Sequence, residues 1–134
     1  MTQTNVRQSL ANCKTIAVVG LSPKPHRDSF RVAKYMQDHG FRIVPINPNA
    51  PEVLGEKSYT SLTEAAKHER IDMVNCFRNS EDIPPIAAEA IAIGAKSLWL
   101  QLGVVNDAAA KQATDAGLVV VQNLCLMVEH RQLG

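Results

Sequence analysis

Cysteine is scarce in this chain, with Cys13, Cys76 and Cys125 its only three, and none falls in a C-x-x-C pair or beside a cluster of histidines. That spacing signals neither a disulfide framework nor a structural zinc site, and a reducing, cytoplasmic setting is expected. Aromatic residues are as sparse, six in 134, and the formal net charge is only +1. Nucleic-acid binding therefore lacks both its stacking platforms and its basic footprint, so no nucleic-acid partner is expected. No apolar run approaches the roughly 20 residues of a membrane helix, and the start lacks a charged segment followed by an apolar one; no membrane association is expected. What the chain does not lack is core-forming material. With 46% hydrophobic and 20% charged residues in 134, it reads as one domain over residues 1–134.

Five apolar, β-branched runs stand out: 15–20 (TIAVVG), 42–47 (RIVPIN), 71–77 (IDMVNCF), 97–102 (SLWLQL) and 118–122 (LVVVQ). Their starts lie 27, 29, 26 and 21 residues apart, the spacing of parallel strands joined by crossover helices. Near-continuous apolarity implies a sheet covered on both faces. Between the runs, Val32, Tyr35, Met36 and His39 recur at helical spacing after Asp28 and Ser29, either of which can cap. Ser61-Leu62-Thr63-Glu64 has the pattern of a capping box, Pro84 and Pro85 suit a first helical turn, and Asn106 or Asp107 caps a further helix. Gly40, Gly94 and Gly117 each stand between a helical segment and the next strand. Pro45 places the second strand near the periphery, and residues 56–59 supply a short edge strand beside it. Short helices are expected near both ends, over 6–12 and 124–131. The fold class is α/β: a Rossmann-like, doubly wound, mostly parallel sheet of five to six strands with helices on both faces, and ligands beyond the carboxyl ends of the strands.

At those ends the first βα loop carries the most chemistry. Gly20-Leu21-Ser22-Pro23-Lys24-Pro25-His26-Arg27-Asp28-Ser29 opens into a helix, so glycine, helix start and basic side chains coincide as in a phosphate-binding loop. Residues 1–42 hold seven Lys/Arg against two Asp, a local excess that favours an anionic ligand. Neither G-x-G-x-x-G nor G-x-x-x-x-G-K-[ST] can be written on the loop, and Asn47 stands where an NAD site carries an acid for the ribose hydroxyls. The remaining strand ends, with Phe77 and Arg78, Gln101 to Gly103, and Gln122 to Cys125, could line a groove continuous with the loop. Cys125, Glu129 and His130 invite a thiol-nucleophile reading, against which stands the ordinariness of such residues on a short terminal helix.

Taken in order, these motifs resemble a known family. Ile16 to Ser22 with Lys24 and Arg27, Val44-Pro45-Ile46-Asn47-Pro48, Leu54-Gly55-Glu56-Lys57 with Tyr59, Phe77-Arg78, and Ala90 to Lys96 running into Trp99 to Val104 are similar to the small stand-alone CoA-binding domain proteins. Those proteins are related to the N-terminal CoA-binding domain of the succinyl-CoA synthetase alpha subunit. The resemblance implies a Rossmann-like fold holding CoA or an acyl-CoA as its ligand. Gly20, Leu21, Ser22, Lys24, His26, Arg27 and Ser29 would lie near the phosphates; Asn47, Pro48, Phe77, Arg78, Gln101 and Gly103 would line the nucleotide or pantetheine path, with Asn123 and Cys125 at its far end. CoA also carries a ribose phosphate, which agrees with the missing acid at Asn47. The chain departs from the family's Asp-Arg-Cys pattern near its end, having Asn123-Leu124-Cys125. In the synthetases a phosphorylated histidine sits in a further domain, so ligase activity by this chain alone is not expected, nor is a catalytic residue or a metal. The competing readings are an NAD(P)-dependent oxidoreductase, a thiol enzyme using Cys125, and a ligand-sensing scaffold subunit with a protein partner.

Overall fold

The computed structural model describes residues 2–133. In chain order the elements are α1 (Thr2–Leu10), β1 (Thr15–Val19), α2 (Asp28–Asp38), β2 (Arg42–Ile46), β3 (Glu52–Val53), β4 (Glu56–Lys57), α3 (Leu62–Ala66), β5 (Met73–Cys76), α4 (Ile83–Ala92), β6 (Ser97–Leu100), α5 (Asp107–Asp115), β7 (Val119–Val121) and α6 (Leu126–Gln132). A single 3-10 turn, Ser80–Asp82, leads into α4.

Five strands form one parallel sheet in the order β2-β1-β5-β6-β7. The five runs of the sequence are these five strands, and the doubly wound α/β architecture follows from how their side chains divide. Ala17, Val19, Val44, Val74, Cys76, Leu98 and Leu100 face one way, against Leu62 and Ala65 of α3, Ala87 and Ala90 of α4 and Ala113 of α5. Ile16, Val18, Ile43, Met73, Trp99 and Val121 face the other, against Val6 of α1, Val32 and Met36 of α2 and Leu126 of α6. Alternate residues of each strand thus feed two cores, which is why the runs are apolar throughout. Small residues on α4 and α5 let those helices lie close over the first core. The indole of Trp99, fully buried in the second, donates its N–H to the Leu124 carbonyl at 2.8 Å and ties β6 to the start of α6.

β2 is an edge strand of the five, and Pro45 shows why it can be. Its carbonyl accepts the Tyr59 N–H at 3.0 Å on the outer side, so the N–H that proline lacks would also have pointed away from β1. The strand expected over 56–59 takes a different form. Residues 52–57 close into a two-residue-loop hairpin, β3 against β4, with Leu54 and Gly55 both at positive φ, and only Tyr59 bridges the β2 edge at Ile46.

The first helix, expected over 6–12, spans Thr2–Leu10 instead, and among the capped helix ends one departs from the sequence. Ser61 accepts the Glu64 N–H at 3.1 Å, Asn106 accepts that of Ala109 at 3.0 Å, and Pro84 and Pro85 sit in the first turn of α4. Gly40, Gly94 and Gly117 take left-handed backbone after α2, α4 and α5. For α2, however, the cap is Arg27 rather than Asp28 or Ser29, and its side chain makes no capping bond. The Ser29 hydroxyl is already taken: it accepts the Ser22 N–H at 3.0 Å from the preceding loop. Among the described residues no helix is long and apolar enough to cross a membrane.

α6 is clamped to α2 by an imidazole cluster. Tyr35 Oη and His130 Nδ1 are 2.9 Å apart, Tyr35 stacks on His39 with ring centroids 4.0 Å apart, and Phe41 meets His130 edge-on. Burial, and then the neighbouring His39, hold the His130 imidazole below its ordinary pKa. The folded state therefore prefers neutral His130, and the unfolded chain takes up the proton first as pH falls below about 6.5. The stability contributed by neutral His130 is complete above that pH and lost as pH falls through the lowered folded-state pKa. In chemical denaturation at pH 7.5 and 5.5, the stability advantage of the native protein over His130→Gln is expected to shrink at the lower pH.

Candidate functional site

The site begins where two loops part company. β1 passes through α2 to β2 on one side, whereas β5, on the other side of β1, passes through α4 to β6, so a crevice opens between the carboxyl ends of β1 and β5. Gly20 lies at its base. Its N–H donates to the Ile46 carbonyl at 3.0 Å, its φ is +84°, and a Cβ placed on it would stand 2.5 Å from the Phe77 carbonyl oxygen. Both the backbone conformation and the close approach to the β5 end require glycine.

Beyond Gly20 the loop is braced by its own polar groups. Ser22 Oγ accepts the Lys24 N–H at 3.1 Å, the Lys24 carbonyl accepts the Arg27 N–H at 3.1 Å, and Asn47 Nδ2 donates to the Leu21 carbonyl at 2.9 Å from the end of β2. Asn47 Oδ1 in turn accepts the Asn49 N–H at 2.8 Å, so both ends of this amide serve the loops. The product is a lobe of about 610 Å³ where Gly20, Ser22, Lys24, His26, Arg27, Ser29 and Phe77 meet. Because Arg27 caps α2 without a side-chain bond, the first-turn N–H groups of that helix carry no cap of their own, and three basic side chains surround them. One acid, Asp28, lies there too, and it is paired with Arg31.

A second lobe of about 590 Å³ shares Gly20 and Ser22 with the first and runs over the β2 end, bringing in Asn47, Pro48 and Arg78. Its far wall was not visible in the sequence: Glu81 and Asp82 of the 3-10 turn, with Pro85, Ile86 and Glu89 of α4, line it. Arg78 Nη2 pairs with Asp82 at 3.3 Å, and Glu89 Oε2 accepts both the N–H and the hydroxyl of Thr63, at 3.1 and 2.7 Å. The signal that could have revealed this wall is the i,i+4 spacing of Arg78 and Asp82 directly after a strand.

Five expected residues lie outside both lobes. The Leu21 side chain is fully buried in the α1/α2/α6 core, and only its carbonyl serves the loop. Gln101 is buried, its Oε1 accepting from Asn75 Nδ2 and from the Leu126 N–H, both at 3.0 Å, so it anchors the start of α6. Gly103 donates its N–H to Asn123 Oδ1 at 2.7 Å, closing the β6 loop onto the β7 loop. Cys125 is the N-cap residue of α6 without a capping bond, while His130 Nδ1 is committed to Tyr35. Burial pushes the other two thiols, Cys13 and Cys76, up to about 12, which keeps them protonated at neutral pH.

The sequence and its fold have counterparts in known proteins. The sequence matches the model of the CoA binding domain family over residues 14–131. The chain belongs to that family. It is 42% identical over 125 residues to the uncharacterized protein YneT of Bacillus subtilis (strain 168), covering 93% of this chain and 91% of that one. A hypothetical protein from Pyrococcus horikoshii OT3, of known structure, superimposes with a TM-score of 0.93 at 40% identity, over 100% of this chain and 94% of that chain. Acetate–CoA ligase [ADP-forming] II of Archaeoglobus fulgidus is 29% identical over 85 residues, 62% of this chain but only 12% of that much longer protein. The family reached through Gly20, Asn47 and the Trp99 strand is the one whose model matches residues 14–131.

In this CoA binding domain the tight passage at Gly20 is open to a direct test. Gly20→Ala combines left-handed strain with a collision against backbone, at a cost of about 1–3 kcal/mol from strain of this kind alone. Gly40→Ala, with nothing within 4 Å of the added Cβ, meets the strain without the collision. Urea denaturation is expected to rank Gly20→Ala as the more destabilised of the two.

Proposed function

We propose that the protein binds CoA or an acyl-CoA at the carboxyl edge of its sheet and acts by holding that ligand rather than by transforming it. The observation that carries this reading is the uncapped start of α2, set among Lys24, His26 and Arg27 and opening through Gly20 and Ser22 into a second lobe. A diphosphate suits the first lobe, because N–H groups and cationic side chains converge there. The rest of a long, jointed ligand suits the second. Asn47 supports CoA over NAD: it puts an amide, already bonded to the loops at both ends, where an NAD site carries a carboxylate for the ribose diol.

The non-catalytic part of the proposal draws on the committed imidazole of His130 and on the separation of Cys125 from both lobes. Occupancy would be reported to a protein partner through the β6 and β7 loops, which the Gly103–Asn123 hydrogen bond ties together outside the two lobes.

Calorimetric titration with CoA, acetyl-CoA, NAD, NADP and ATP tests the reading. CoA is expected to bind saturably and in preference to the dinucleotides, with affinity falling as salt rises. Lys24→Gln/Arg27→Gln is expected to weaken it about tenfold or more, equivalent to about 1.4 kcal/mol. Binding of NAD(P) alone, or no saturable CoA binding, overturns the proposal.

A further inference from the structure

The opposite, amino-terminal edge of the sheet carries a second concavity that this reading does not use. A cavity of about 510 Å³ lies between the end of α1 and the starts of β6 and β7, lined among others by Ser9, Cys13, Ser97 and Leu118. It adjoins a cleft of about 430 Å³ lined by Lys14, Arg70 and Lys96, and Asn12, Asp72 and Lys96 border both.

Two independent features mark it. The first is charge: Lys14, Arg70 and Lys96 come from three different connections, and none has a carboxylate within ion-pair distance among the described residues. Asp72, the one acid lining either cavity, is spent on backbone. Its Oδ2 accepts the N–H groups of Lys14 and Thr15, both at 3.0 Å, and its carbonyl accepts those of Lys96 and Ser97 at 2.9 and 3.1 Å. Asp72 therefore sets the positions of two of the cations without pairing with their side chains. The second feature is a pair of orphan hydroxyls. Ser9 and Ser97 are 4% and 2% exposed, both belong to the lining of the larger cavity, and neither Oγ has a hydrogen-bond partner. Such groups are rare in folded proteins, and each costs free energy until something meets it; both oxygens are sealed from solvent, so a ligand in the cavity meets them once the serine side chains turn toward it.

We propose that this double cavity is a binding site for a small phosphate monoester, its head between Lys14, Arg70 and Lys96 and its polar body over Ser9 and Ser97. Three cations against one backbone-bound carboxylate leave an excess of two positive charges, which a phosphate dianion balances and a carboxylate does not. Each cavity has the volume of an ordinary small-molecule site. Cys13 takes no chemical part, since burial and then Asp72 keep its thiol protonated. The site lies at the other end of the strands from the CoA lobes and stands or falls independently of them.

The test is a ¹⁵N NMR titration with glycerol 3-phosphate and, separately, inorganic phosphate, in a Lys24→Gln/Arg27→Gln background that silences the opposite loop. Glycerol 3-phosphate is expected to shift the amides of Lys14, Lys96 and Ser97 saturably, and at least tenfold more tightly than inorganic phosphate. Adding Lys14→Gln/Arg70→Gln/Lys96→Gln, three exposed changes, is expected to weaken it at least tenfold while the spectrum keeps its dispersion. Ser97→Ala, which only removes an unpartnered oxygen, is expected to weaken it several-fold. No saturable shift at the amino edge, equal affinity for the two probes, or unchanged binding in the charge variant overturns the proposal.

Discussion

At Gly20 the first βα loop is pressed so close to the end of β5 that a Cβ there would stand 2.5 Å from the Phe77 carbonyl oxygen. That contact fixes where everything downstream can go. With the loop held against β5 and its N–H bonded to Ile46 of β2, residues 20–29 span the crevice between the strands rather than lifting away from it. Ser22, Ser29 and Asn47 then hold the loop's shape, and α2 starts with its amides aimed along it. The two lobes meet only across Gly20 and Ser22, so the size of one residue decides whether they form one site.

Ser29 illustrates how local rules yield to such a site. By composition it caps α2; in the fold its hydroxyl accepts the Ser22 N–H, and the helix is left with Arg27, which cannot cap through its side chain. A helix terminus without a side-chain cap leaves its first-turn donors free for solvent or a ligand. The same logic applies at the opposite edge, where Asp72 gathers the loops of Lys14 and Lys96 and leaves their side-chain charges unanswered.

Much of this was legible in advance because both periodicities were clean. Five apolar runs, glycines between helix and strand, and the caps at Ser61 and Asn106 each had a local physical cause that tertiary structure did not override. The hairpin of 52–57 stands in place of the edge strand expected over 56–59: two-residue strands leave almost no pattern, and its turn rests on Leu54 taking a positive φ that leucine does not advertise. The residues of 20–29 that line the first lobe are legible together because they are contiguous. The acidic wall is less legible: Asp82 is signalled only by its i,i+4 spacing from Arg78, and Glu89 joins it only through the rotational phase of α4 relative to the sheet. Gln101 was placed at the correct end of its strand, but its depth was not readable: only the fold places Asn75 and the Leu126 N–H against its amide.

The most direct test of the central claim is a crystal structure of the protein grown with CoA. The account predicts the diphosphate against the 22–29 loop, within hydrogen-bond reach of the first-turn amides of α2 and of Lys24 or Arg27, with the ligand crossing Gly20 into the lobe bordered by Asn47 and Arg78. CoA phosphates bound elsewhere on the chain, with both lobes vacant, would contradict it.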